Sequence, residues 1–311
     1  MKYVGLSSQI QRNNLNSILL LIAFPILLLL VTYALIFFAG SQELEPTNYY
    51  FLRALPVVLI GTGIWFLIAW AGHSVFIRFA TGARPLERKD DKRVYNLLEN
   101  LCISQGMPMP KVYIIEDDSL NAYASGISQG SFAVTLSRGM INRLDDDELE
   151  GVIAHELTHI RNRDVRLLII SIIFVGIFSF LAEMAFRSLR FAGSGKKSRD
   201  GKSSGGIILI AIVITAIAYL ISLLLRFGIS RRREYLADAG AAELTKKPYA
   251  LAAALRKISE DPLIEAVENR DVAQLFIENP KPSQHKSASW DNMFATHPPI
   301  KKRIELLEQF V

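Results

Sequence analysis

Along most of this chain apolar and polar residues alternate, but in four places the apolar residues become continuous. Residues 15–39, 55–77, 165–186 and 206–225 are each apolar for about 20 residues, the length a helix needs to cross a hydrocarbon core of about 30 Å. The remainder, roughly 84–164 and 230–311, has the mixed charge and broken hydrophobicity of a globular domain. The pattern predicts an amino-terminal anchor over residues 1–80 with two membrane helices. Residues 81–311 then form one domain built from two halves and interrupted by two further membrane segments.

The first window could be taken for a secretory signal. Its apolar run from Ile18 to Phe38 exceeds the 7–15 residues of a signal core, and no small-x-small cleavage site follows. A retained anchor is expected, with a bend at Pro25.

Inside the polar regions the periodicity changes. Val94, Leu97, Leu98, Leu101 and Cys102 recur at helical spacing and read as a core stripe. "KVYIIED" (111–117) and "SFAVTLS" (131–137) alternate as strands, the second preceded by the turn residues "SGISQG". "DDDELEGVIAHELTHIRNRD" reads as a helix. Asp145 is its N-cap, Glu148 completes a capping box, and Asp146 and Asp147 suit the positive end of the dipole. Leu149, Val152, Ile153 and Leu157 give that helix an apolar face. Pro298 and Pro299 open a last helix near the carboxyl end.

Composition agrees with a membrane protein. Half of the 311 residues are hydrophobic, and the mean hydropathy of +0.25 is high for a soluble domain. The single cysteine, Cys102, rules out an intramolecular disulfide and argues against a thiolate metal cage.

Charge suggests orientation. Lys2 and Arg12 precede the first window, and Arg78, Arg84, Arg88 and Lys89 lie at or beyond the end of the second. The 40–54 connection carries Glu43 and Glu45 against Arg53. The positive-inside rule then puts the amino terminus and residues 84–164 in the cytoplasm. The connection between the last two windows is itself basic, with Arg187, Arg190, Lys196, Lys197, Arg199 and Lys202. Those two windows either cross fully or form a shallow hairpin, and the connector reads as a solvated, flexible chain.

The chemistry lies in "HELTH". On a helix His155 and His159 project from one side and can grip one ion, with Glu156 placed to act on a water rather than on the metal. A catalytic site typically needs a third protein ligand. No third histidine follows on the same run, and the best candidate is Glu234 in "SRRREYLADAGAAEL". Asp238, four residues on, would orient a ligand histidine. His159 precedes the third apolar window and Glu234 follows the fourth, so two crossings return the chain to one face. His297 has helix capping as its default role, His285 solvation, and His73 an interfacial hydrogen bond. A strand with a free edge near the metal, including Ala133 and Val134, would bind an extended substrate backbone.

Together "HELTH" with "RNRD", "SRRREYLAD", "NAYASG" (121–126) and "FATHPP" resemble the HtpX-type membrane metalloproteases. More distant relatives are the CaaX prenyl-protein proteases and the mitochondrial inner-membrane stress proteases. The resemblance implies a mainly α membrane protein of about four transmembrane helices. To these it adds a cytoplasmic, zincin-like α+β metalloprotease domain with a small sheet. It further implies one zinc ion per chain, held by His155, His159 and Glu234, with Glu156 as general base and Asp238 behind a ligand. Asn121 and Ala122 match the segment lining the cleft, and His297 matches a histidine near the active site. An oxyanion donor would be His297, or else Arg231 or Arg233. The implied location is the bacterial cytoplasmic membrane, and the implied partners are the lipid bilayer and unfolded or misfolded membrane proteins. No nucleic acid is expected. Two rivals remain: a processing protease with one substrate, and a zinc-binding scaffold or transporter. For transport, only Glu183 and His73 lie within or near the apolar windows.

Overall fold

The computed structural model describes residues 6–40, 42–192, 212–219, 231–260, 275–277 and 298–309. Two long helices come first, α1 (Leu6–Ala39) and α2 (Leu44–Thr81), with α1 running through Pro25. A two-residue strand β1 (Arg84–Pro85) leads to α3 (Lys92–Ser104), β2 (Lys111–Ile115), β3 (Ala122–Ser125), β4 (Ala133–Ser137) and the short α4 (Arg138–Arg143). Then follow α5 (Asp146–Asn162), α6 (Asp164–Ala192), α7 (Arg231–Thr245), α8 (Pro248–Glu260) and α9 (Ile300–Glu308). Residues 212–219 are also helical.

The chain divides into two compact units. One gathers residues 16–71 and 170–226, and therefore holds most of each of the four apolar windows. Aromatic rings knit it together: Phe24 stacks on Phe174 at 4.5 Å between centroids, and Phe174 stacks on Phe66 at 5.7 Å. On α1 the side chains of Ile18, Leu19, Ile22, Ile26 and Leu30 stay about half exposed, which suits a lipid environment and not water. Among the described residues three helices are long and apolar enough to cross a membrane: Ile10–Phe38, Leu44–Thr81 and Asp164–Leu181. The fourth expected window, 206–225, lies mostly outside the described residues.

The other unit comprises residues 1–15, 72–169 and 227–311. Its four-stranded sheet has the order β1-β2-β4-β3, with β2 and β4 parallel and the other pairs antiparallel. The interior strands are short; β4 is buried throughout, and β2 is buried at Val112, Ile114 and Ile115 with Lys111 exposed. β3, at the sheet edge, is not among the strands that the alternation predicts. Gly126 ends it with φ +115, where an added Cβ would meet the backbone of Ser131 and Phe132.

α5 is the central helix. The capping box of Asp145 and Glu148 forms as its sequence implies. Leu149, Val152, Ile153 and Leu157 are fully buried, and each such burial contributes roughly 1.5–3 kcal/mol. Glu156 and His159 share a side of α5 with Val152, beside His155, so the site borders this apolar face. α7 and α8 pack on α5, β3 runs beside it, and α3 closes the far side with Val94, Leu98, Leu101 and Cys102 buried. Burial pushes the Cys102 thiol up to about 11, which keeps it in the inert protonated form.

Candidate metal centre

Helical spacing brings His155 and His159 to one side of α5, their rings 4.7 Å apart and nearly perpendicular. Their Nε2 atoms face each other at 3.1 Å. Glu234, in the first turn of α7, completes a triangle: its Oε2 lies 3.6 Å from His155 Nε2 and its Oε1 3.7 Å from His159 Nε2. Two nitrogens and a carboxylate thus converge. A tetrahedral ion with bonds of 2.0–2.2 Å spaces its ligand atoms about 3.3–3.6 Å apart, and the triangle's edges of 3.1, 3.6 and 3.7 Å lie close to that size.

Close packing of the two helices sets that distance. Gly240 of α7 sits against Thr158 of α5, where an added Cβ would come within 2.5 Å of the threonine methyl. Thr158 is itself tied by its hydroxyl, which donates to Ala154 O at 2.8 Å.

Each histidine is held from behind. His155 Nδ1 lies 3.0 Å from Asp238 Oδ1. His159 Nδ1 lies 3.1 Å from both oxygens of Asp164, the first residue of α6. Asp164 can reach back because Arg163 takes the left-handed conformation, φ 59, between the two helices. Asn13 supports that junction by donating from Nδ2 to Asn162 O at 2.9 Å. Arg303 of α9, wholly buried, forks Asp238, with Nε to Oδ2 at 2.9 Å and Nη2 to Oδ1 at 2.8 Å. Arg233 donates to the Asp164 carbonyl at 3.1 Å.

The charges indicate what the site wants. Among the described residues around it, four buried carboxylates, Glu156, Asp164, Glu234 and Asp238, face two buried guanidiniums, Arg233 and Arg303. With neutral imidazoles that leaves two negative charges, the complement of a divalent cation. Burial opposes charging of both histidines, yet the carboxylates outweigh it. Asp238 and Glu234 raise His155, and Asp164 and Glu234 push His159 up to about 9. Burial likewise favours protonated Asp238, but the Arg303 fork overrides it and lowers its pKa. Glu156 moves the other way: burial raises it, against the pull of the two histidines.

Glu156 faces a cleft lined also by Ala124, His159, Asp164, Val165, Leu168, Arg233, Glu234 and Leu275. The Ala124 backbone N–H is directed at the Glu156 carboxyl and favours its charged form, a smaller effect than burial. On the same edge of β3, Ala122 O accepts from Ile277 N at 2.8 Å, and Phe276 packs on Tyr123.

Residues 88–311 match the family model of peptidase family M48. The chain belongs to that family. It is 57% identical, over the whole of both chains, to the "Protease HtpX homolog" of Bacteroides fragilis (strain ATCC 25285). The protein of the same name from Lactobacillus helveticus (strain DPC 4571) is 35% identical over 98% of this chain and 99% of its own. The fold is similar to that in the crystal structure of S. mikatae Ste24p, with a TM-score of 0.50 and 21% identity. That match covers 90% of this chain but only 61% of the longer one. As an M48 member with long apolar helices, the chain is a membrane metallopeptidase.

Among the residues singled out from the sequence, His155, Glu156, His159, Glu234 and Asp238 come together. Asn121 and Ala122 lie where β3 begins, both buried, with Asn121 Oδ1 accepting from Ala122 N–H at 3.0 Å. Ala133 and Val134 stand elsewhere than expected: β4 is an interior strand paired with β2 on one side and β3 on the other. Its main chain has no edge to offer, and the outer edge belongs to β3 one strand over. His285 and His297 lie outside the described residues, as does the side chain of Arg231. Sequence reasoning passes over Asp164 and Arg303. Asp164 stands in the quoted "RNRD", and Arg303 falls on the stripe Ile300, Ile304 and Leu307, a charge where an apolar residue is expected.

Proposed function

We propose that this membrane metallopeptidase is a zinc endopeptidase of the bacterial cytoplasmic membrane, hydrolysing misfolded or damaged membrane proteins from the cytoplasmic side. The observation that carries the reading is the convergence of His155, His159 and Glu234, the last two lining the cleft that also holds Glu156. Two imidazoles and a carboxylate at tetrahedral spacing suit zinc among the common divalent ions. When bound, zinc supplies a Lewis acid that lowers the pKa of a water to about 7 and polarises the scissile carbonyl.

The chain's own residues do the rest. Asp164 hydrogen-bonds His159 Nδ1, and Asp238 sets its charge 3.0 Å from His155 Nδ1; both contacts favour a proton on Nδ1 and leave each Nε2 lone pair for the metal. Glu156 takes the proton from the attacking water and delivers it to the leaving amine. Its raised pKa makes it a stronger base than an exposed glutamate. Ala124 presents its main chain beside Glu156 on the outer edge of β3, the edge that 275–277 bridges at Tyr123, and an extended substrate adding there as a strand would take the place of that segment. Such pairing ignores most side chains, which suits a protease for many unfolded segments. Cytoplasmic placement rests on the arginines and lysines flanking the first two spans. In this layout residues 1–80 anchor the chain, and residues 81–311 form the protease domain around two further membrane segments.

The test is degradation of an unfolded model protein by detergent-purified wild type and Glu156→Gln, with zinc resupplied after chelation. Zinc-dependent cleavage by the wild type alone, with metal bound to both, is expected. A Glu156→Gln variant that cleaves, or that holds no metal, would sink the role given to Glu156. A zinc-loaded wild type that cleaves nothing would favour the processing protease with one substrate.

A further inference from the structure

A wholly buried arginine needs an account, because a guanidinium out of water is costly unless its donors are met. Arg303 reaches several elements at once. Nε and Nη2 fork Asp238 of α7, while Nη1 donates to Ile277 O at 3.1 Å in the segment paired with β3. Nη1 also stands 3.8 Å from Glu234 Oε2, and Nη2 3.5 Å from His155 Nε2.

The decisive detail is a shared atom. Asp238 Oδ1, the oxygen 3.0 Å from His155 Nδ1, is the same oxygen that accepts from Arg303 Nη2 at 2.8 Å. A two-point fork fixes the plane of the carboxylate as well as its position. With Asp238 held in place, its Oδ1 packs 3.0 Å from His155 Nδ1 and limits where that ring can turn. Charge pairing alone would not require this geometry; a lysine would supply the charge without the plane.

We propose that Arg303 is a positioning residue. It sets the orientation of His155 through Asp238, so that docking of α9 shapes the metal site. This rests on the reading of His155, His159 and Glu234 as the metal ligands.

The experiment uses the full chain in detergent with Co(II) as the probe. Affinity is read by chelator competition and ligand geometry from the Co(II) visible absorption, with circular dichroism and thermal unfolding alongside. The variants are Arg303→Lys, which keeps the charge but not the fork, and the neutral double variant Arg303→Met with Asp238→Asn, which leaves no unpaired buried charge. Both are expected to fold, to bind Co(II) about 10–100-fold more weakly, and to show a changed absorption envelope. Wild-type affinity and spectrum in either folded variant would overturn the proposal, whatever happened to thermal stability. If the wild type itself took up no Co(II), the ligand assignment would fall, a failure distinct from unchanged variants.

Discussion

Asp164 sets both carboxylate oxygens 3.1 Å from His159 Nδ1, although it belongs to the helix after the one that carries the histidine. The left-handed turn at Arg163 makes this reach possible. The first residue of a long apolar helix therefore also buttresses the metal centre, which ties the site to the start of a candidate membrane span.

Asp164→Asn should keep the shape of that contact but lose its charge. A metal affinity about 10–100-fold weaker is expected, with the fold retained. Chelator competition on the purified variant checks this, and wild-type affinity would show that Asp164 is only a helix-starting residue.

Gly240→Ala tests the spacing between α5 and α7. The added methyl would sit 2.5 Å from Thr158 Cγ2 and 2.9 Å from its Oγ1, and Thr158 is held by its own hydrogen bond. Overpacking of this kind costs about 1–3 kcal/mol. A lower unfolding temperature is expected together with weaker metal binding, because α7 carries Glu234. A paired Thr158→Ser change, which removes the clashing methyl, should restore much of both.

Ala124→Pro removes the N–H that Ala124 directs at Glu156 while leaving the pairing of β3 with β4, which uses the other edge; the bridge of Tyr123 to Phe276 shares the altered edge. A hydrogen bond to a charged group contributes about 1.5–3 kcal/mol. Turnover should fall roughly 10–100-fold with metal retained, the rate equivalent of that energy. Metal analysis beside steady-state rates separates this from collapse of the site. Equal loss of metal and activity would mean that the edge is structural.

Glu116 provides a pH dependence away from the metal. Arg138 forks it at 3.0 and 2.7 Å and Arg84 bonds the same carboxylate, which lowers its pKa to about 2. The unfolded value is about 4.3. Because the folded value is the lower one, the contribution is complete above the unfolded pKa and drains away as pH falls towards 2. The group is substantially exposed, so the contribution is about 1 kcal/mol or less. Wild type should unfold slightly later than Glu116→Gln at pH 7, and the gap should narrow by pH 3. A gap that widens on acidification would contradict the sign.

The sequence alone determined whatever is periodic or local. The helix α5, its capping box, the pairing of His155 with His159, the core stripe through Cys102 and the apolar windows all follow from spacings of a few residues. Such spacings dictate which side chains share a helix face before any packing occurs. Strand order is different. Nothing local tells that β4 is interior and β3 the edge, so Ala133 and Val134 could not be separated from Ala124 by pattern. Arg303 and Asp238 are 65 residues apart, and their pairing exists because α9 docks where α7 presents a buried carboxylate. Only the tertiary structure decides that, since a buried charge selects its partner by desolvation and geometry, not by position along the chain.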